Sequence, residues 1–207
     1  MTSAVRWLLP DAVRLPLAPL QAGVTHRREE LEAMRAEGLL VHVAGGVYLP
    51  ADATGSAQAR VSAIALVARA DAVVGLATAA WLHGAPVTPG PVEVLVPHAA
   101  GPSPSRDGVR EHRTTIGTDD TSSWAGLRVT TPVRTAADLA RQPAGDRSLD
   151  ALRWLLAHGV RQRHVYAVLR ANGRFRHNRR ARAVLRQLRD RGDTPPSGPP
   201  AHSPEPS

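Results

Sequence analysis

The chain has 207 residues, with 26 basic side chains against 18 acidic ones, a formal net charge of +8, no cysteine, and no lysine, so every basic residue is an arginine. The missing cysteines exclude disulfides, thiolate zinc sites and cysteine nucleophiles, and the missing lysines exclude a P-loop lysine, a Schiff-base lysine and the usual lysine of restriction-type nuclease sites. No apolar run approaches the roughly 18 residues of a membrane span, and Arg6, Asp11, Arg14 and prolines interrupt the N-terminal stretch, which makes a poor signal peptide, so a cytoplasmic protein with no membrane partner is expected.

Residues 1–50 carry five arginines and five acids. Their pattern predicts a short helix, a second short helix, a longer helix and a hairpin, which is the order of a winged helix-turn-helix domain. The second helix, in "RLPLAPLQAG", holds Pro16 and Pro19; an interior proline costs about 3 kcal/mol, so that element should be short or distorted. The third, in "THRREELEAMRAEG", has Thr25 as its candidate N-cap, Leu31 and Met34 on one side and Gly38 as its stop. "LLVHVAGGVYLP" then alternates around Gly45-Gly46, a tight-turn signal between two strands.

Advancing 100° per residue puts Glu29, Glu32 and Ala36 at the centre of the third helix's outward face. Carboxylates there repel phosphates, and a glutamate reads DNA only as a single acceptor for a cytosine amino group. DNA contact is therefore expected from Thr25, His26, Arg27 and Arg28 at the helix N-terminus, with Arg35 on a phosphate and His42 offered by the wing. The same residues also fit a winged helix that only packs against protein.

Residues 51–190 read as a second, mostly helical domain with a small sheet. Ser56 to about Asp71 and "LATAAWLHG" are Ala-rich and helical, and Pro86, Pro89 and Pro91 end that run. "PVEVLVP" and "GVREHRTTI" are candidate strands on either side of a Gly/Pro/Ser loop at 99–108. "WAGLRVTTPVRTAADLA" predicts a strand and then a helix that starts at Thr131 with Pro132 in its first position. The sequence onward to Asp190 is helical, and residues 191–207 have the composition of a disordered Pro-rich tail. The fold class is α/β in the α+β sense.

Glu93, His98, Glu111 and His112 lie on or near the two candidate strands, and His83 precedes a glycine. They lack the converging three- or four-ligand spacing of a metal site, and strand alternation separates Glu111 from His112. His83 reads as a cap on a helix end. No catalytic residue, metal or cofactor is expected.

The excess charge is confined to residues 146–191, which hold thirteen arginines against Asp146, Asp150 and Asp190. On a helix beginning near Arg179, the residues Arg179, Arg182, Arg186 and Arg189 form a stripe beside an apolar face of Ala181, Val184, Leu185 and Leu188. Arg174, Arg176 and Arg180 extend it. Such a stripe suits a nucleic-acid backbone or an acidic partner protein, and equally a solvated face in an arginine-rich protein.

Three stretches in register, "GVTHRREELEAMRAEGLLVHVAGGVYLP", "ATAAWLHGAPVTPGPVEVLVP" and "GLRVTTPVRTAADLA", resemble the AbiEi-type antitoxins of type IV, or abortive-infection, toxin–antitoxin pairs, in their actinobacterial form. The resemblance covers roughly residues 14–190. It implies a non-enzymatic antitoxin whose winged helix represses its own operon by binding promoter DNA, and a C-terminal domain that counteracts a nucleotidyltransferase-like toxin without binding it stably. Many proteins of this arrangement continue into a restriction-nuclease-like domain; here a Pro-rich stretch follows the last helix. The chain does not read as the toxin, because Gly55-Ser56 is followed only by the lone Asp71 where an Asp-x-Asp pair is needed. The alternative is a protein-interaction module whose winged helix no longer binds DNA and whose basic helices bind an acidic partner.

Overall fold

The structure, a computed structural model, describes residues 18–192 except 88, 89, 102–106, 144 and 174. The first expected helix, most of the second, Arg174 and nearly all of the Pro-rich tail lie outside the described residues. Within them the chain forms seven α-helices and two small sheets, an α+β fold.

The N-terminal sheet is built from β1 (Leu20–Gln21), β2 (Leu40–Ala44) and β3 (Val47–Pro50), in the order β1-β3-β2 and antiparallel throughout. Between β1 and β2 lies α1 (Arg28–Ala36). This strand, helix and hairpin are consistent with the expected winged helix-turn-helix, of which one helix lies among the described residues. The expectation of a second helix through "RLPLAPLQAG" fails over its described part: Leu20 and Gln21 pair with Tyr48 and Val47. Proline at 19 disfavours a helical residue before it, and the free edge of β3 offers the hydrogen bonds that a helix would have supplied.

The cap of α1 also differs from expectation. Thr25 sits in the preceding turn, where its hydroxyl accepts from Gln21 N (2.9 Å) and donates to Gln21 O (3.1 Å). The helix starts later, with Arg27 as N-cap and its backbone N–H donating to Glu30 Oε2 at 3.0 Å, which satisfies one donor through the acidic residue three positions on. Gly38, at φ +76°, ends α1 as expected, and Gly45 and Gly46 (φ +54° and +79°) make the hairpin turn, the two left-handed positions such a turn requires.

The helix α2 (Ala57–Ala65) is capped by Ser56, whose Oγ accepts from Ala59 N, and it ends six residues earlier than the Ala-rich run suggests. A two-residue strand, β4 (Val73–Val74), then precedes α3 (Leu76–Leu82). β5 (Val92–Val96) and β6 (Val109–Arg113) are the two expected strands, paired in parallel. β7 (Thr121–Trp124) and β8 (Leu127–Thr130) form a hairpin, and the sheet order is β6-β5-β4-β8-β7. The central β4 runs antiparallel to β5 and parallel to β8.

Thr131 caps α4 (Pro132–Arg141), accepting from Arg134 N at 3.3 Å, with proline in the first turn. α5 (Asp146–Ala157), α6 (Gln162–Ala171) and α7 (Asn178–Gly192) follow. α4 is the hub of this half, packing against α3, α5, α6 and α7.

Alternation on β3 joins the two halves. Tyr48 faces α1 and completes a small cluster with Leu20, Leu31 and Leu40, whereas Val47 and Leu49 face the other way, into the large core with Ile64, Val94, Val129 and Leu152. A register shift between His42 and Ala44 turns Val43 and Ala44 together into that core.

Candidate nucleic-acid and partner interface

Residues 23 to 30 are all exposed, so Thr25, His26, Arg27 and Arg28 come together at the N-terminus of α1 on an accessible surface. Val24 stands among them with 74% of its surface open. Two of the arginines assigned to DNA are already engaged. Arg27 Nε and Nη2 lie 3.0 and 2.9 Å from Glu30 Oε1, and Arg35 Nε donates to Glu32 Oε2 at 2.7 Å. Exposed ion pairs contribute little to stability and exchange partners easily, so both guanidiniums remain available to a phosphate.

Glu32 is half-buried rather than outward. Its other oxygen accepts from the Tyr48 hydroxyl at 2.6 Å, and that bond together with Arg35 holds its pKa below the ordinary carboxylate value. Burial, reinforced by Glu32, raises the pKa of Tyr48. The His42 ring lies 4.9 Å from that of Tyr48, so His42, Glu32 and Arg35 gather over the buried Tyr48. Glu29 remains exposed, as the helical wheel places it.

The wing turn does not project. A Cβ on Gly45 would meet Val67 Cγ1 at 3.3 Å and Asp107 O at 3.4 Å, and one on Gly108 would meet Ala44 Cβ at 3.0 Å. The hairpin tip is therefore docked onto the segment after α2 and the residues before β6. Arg28 reaches over the same turn and lines a cleft of about 360 Å³ with Leu66, Val67 and Asp107.

At the other end of the chain, α7 has the predicted geometry. Ala181 and Leu185 are buried, Val184 and Leu188 half-buried, and Arg179, Arg180, Arg182, Arg186 and Arg189 exposed. The helix carries one acid, Asp190, which lies 3.6 Å from Arg189 Nε. Arg176 and Arg180 continue the stripe into a second and larger cleft.

Beneath that cleft lies a charged network that sequence reasoning missed. Arg134, 1% exposed, bonds Asp120 Oδ2 (2.6 Å), Asp138 Oδ2 (2.8 Å) and Thr115 O (3.2 Å). Arg141 bonds Asp138 Oδ1 (2.6 Å) and Asn178 Oδ1 (2.9 Å). Burial draws the pKa of Arg141 below the ordinary arginine value while Asp138 opposes the shift. The i, i+4, i+7 spacing of Arg134, Asp138 and Arg141 on α4 was the available signal.

Of the residues considered for catalysis or metal binding, Glu93, Glu111 and His83 hold structural contacts, while His98 and His112 line the larger cleft. Glu93 Oε2 accepts from Ala77 N at 3.1 Å, Glu111 lies 3.6 Å from Arg69, and His112 Nε2 lies 3.6 Å from Glu93. His83 is the C-cap residue of α3, its backbone N–H bonding Ala79 O, while its side chain pins the helix to the sheet, Nε2 donating to Thr130 O at 2.7 Å. Among the described residues no grouping of three or more His, Asp or Glu could hold a metal ion, and no helix is long and apolar enough to cross a membrane.

Comparison with known proteins gives one family: the model described as the AbiEi antitoxin C-terminal domain matches residues 72–188, more than half of the chain. No curated protein matches it.

Proposed function

The chain belongs to the AbiEi antitoxin family, and on that footing we propose that it is the non-enzymatic antitoxin of a type IV pair, countering a nucleotidyltransferase-like toxin, and that it represses its own promoter. The observation that carries the DNA half is the exposed arginine face of α7, which stands beside a buried apolar face on a helix with a single acid. A row of guanidiniums binds phosphates bidentately without choosing a sequence. Sequence choice then falls to Thr25, His26, Arg27 and Arg28 at the N-terminus of α1, where main-chain and arginine donors are exposed. Type IV action is a part of this reading that rests on the resemblance of the three quoted stretches. Cytoplasmic localisation accompanies it.

One observation favours a second reading, in which the winged helix no longer reads DNA and the basic helices bind an acidic partner protein: the docked hairpin tip leaves no wing free to enter a minor groove.

A gel-shift assay on the gene's own upstream DNA at low salt separates the two. Arg27→Ala with Arg28→Ala should abolish the sequence-specific shift. Changing Arg182, Arg186 and Arg189 to Gln should weaken binding to all DNA equally and flatten its salt dependence, by up to about one unit of log–log slope for each arginine–phosphate pair removed. Absence of any shift rejects repression. Growth rescue of cells expressing a nucleotidyltransferase encoded beside the gene, without co-purification of the two proteins, tests the antitoxin half; failure of rescue rejects it.

A further inference from the structure

A cleft of about 740 Å³ opens where the ends of β5 and β6 meet the C-terminus of α4 and the approach to α7. We infer that it is a binding site for a free nucleotide, held through its phosphates. Such a site is separate from DNA binding by α1 and the distal part of α7.

The charge of the lining points to an anion. Arg113, Arg141, Arg176 and Arg180 contribute guanidiniums and His98, His112 and His177 contribute imidazoles, against one acid, Asp138. Asp138 is already engaged: one of its oxygens accepts from Arg134 and the other from Arg141. Nothing acidic among the described lining residues is left to neutralise the remaining cations, a combination that concentrates positive potential in a cleft.

Arg141 is the key residue. It is 6% exposed, it is fixed by Asp138 and Asn178, and its guanidinium lies 4.8 Å from the centre of the Phe175 ring. Its Nη2 has no hydrogen-bond partner among the described residues. A buried guanidinium clamped by two bonds keeps an unmet donor beside the cleft, a cost that a bound anion would offset. His112 Nε2, 3.6 Å from Glu93 Oε1, is likewise buried without a hydrogen bond among the described residues. Both residues line the cleft, each with a buried nitrogen that lacks a hydrogen bond. Backbone strain collects there as well, with Leu76 at φ +52° and His177 at φ +65° both among the lining residues, as is common at ligand sites.

The apolar part of the wall selects the class of anion. Leu76, Leu95, Pro143 and Phe175 give the cleft an apolar side next to its cations, and its volume is that of a site for a whole organic ligand rather than for one phosphate ion. A nucleoside di- or triphosphate has both halves: phosphates for the arginines and a flat base for the apolar side.

The test is isothermal titration of the full chain, at physiological ionic strength, with ATP, GTP, CTP, UTP and inorganic triphosphate. At least one nucleotide should saturate at one per chain, and bind more tightly than inorganic triphosphate. Arg141→Lys, and separately the exposed pair Arg176→Gln with Arg180→Gln, should each weaken that binding at least about tenfold. Arg186→Gln with Arg189→Gln, on the same helix but outside the cleft, should leave it unchanged, with circular dichroism confirming that every variant is folded. Lack of saturation with every nucleotide, equal loss in the two double variants, or triphosphate binding as tightly as the nucleotides would overturn the proposal.

Discussion

Arg141 near the end of α4 and Asn178 at the start of α7 are joined by a 2.9 Å bond from the arginine Nε to the amide oxygen, and the Asn178 amide group donates in turn to Leu169 O and Asn172 O. One buried asparagine thus ties α4, the end of α6 and α7 together. Asn178→Ala removes both sides of the tie and takes this partner from Arg141 Nε and Leu169 O, whereas Asn172 O keeps its bond from Phe175 N. Unmet buried groups cost about 1–3 kcal/mol each, so the unfolding free energy from urea titration should fall by at least one such increment, through a lower midpoint at unchanged denaturant slope.

Arg134 is the more costly residue to remove. It is the shared partner of Asp120 on one side and Asp138 on the other. Arg134→Met fills the space but strands the Asp120 carboxylate and half of Asp138. Breaking a buried pair costs about 3–5 kcal/mol. Arg134→Lys should recover only part of the loss, because one ammonium cannot span three acceptors in the fixed fork geometry of a guanidinium. Thermal and urea unfolding of the two variants beside the parent chain decide this.

Docking of the hairpin tip is tested at Gly108. Its φ of +72° already disfavours a side chain, and a Cβ there would lie 3.0 Å from Ala44 Cβ and 3.1 Å from Gly45 N. Gly38, at φ +76°, has nothing within 4 Å of the same position. Gly38→Ala should therefore lose only the left-handed backbone cost, about 1–2 kcal/mol. Gly108→Ala should lose more than that and should raise amide exchange across Val43–Val47. Equal losses at the two positions would mean that the tip does not bear on the 107–108 segment.

His83 makes stability depend on pH. Burial lowers its pKa from the ordinary 6.5, and the bond to Thr130 O opposes that shift only in part. The unfolded chain therefore takes up a proton at a pH where the folded chain does not. The contribution is complete above about 6.5 and is lost as the pH falls from there through the lower folded-state value. The melting temperature should drop between pH 7 and pH 5, and the drop should be smaller in His83→Gln, which keeps a donor for Thr130 O. An identical pH profile in that variant would remove His83 from the account.

Legibility in the sequence followed the range of the interactions. Helix stops, caps and turns that depend on a few neighbouring residues were readable: Gly38, the Gly45-Gly46 turn, and Thr131 with Pro132. So was the amphipathic split of α7, since a 3.6-residue period is local. The Thr25 cap failed because two hydroxyl bonds to Gln21 hold that residue in a turn, and a competing turn is invisible to a pattern that scores only the helix. The two-residue strands β1 and β4 carry too few residues to show alternation. They exist because β3 and β5 offer them unpaired edges.

The sequence by itself determined where the positive charge lies, which helix presents it, and that no cysteine or lysine chemistry is available, because composition and local periodicity need no partner. The tertiary structure alone decided the pairing of Arg27 with Glu30 and of Glu32 with Tyr48, the docking of the wing turn, and the joining of Arg113, Arg141, Arg176 and His112 around one cleft. Most of those residues are distant in sequence, and only strand register and helix packing bring them within reach of one another.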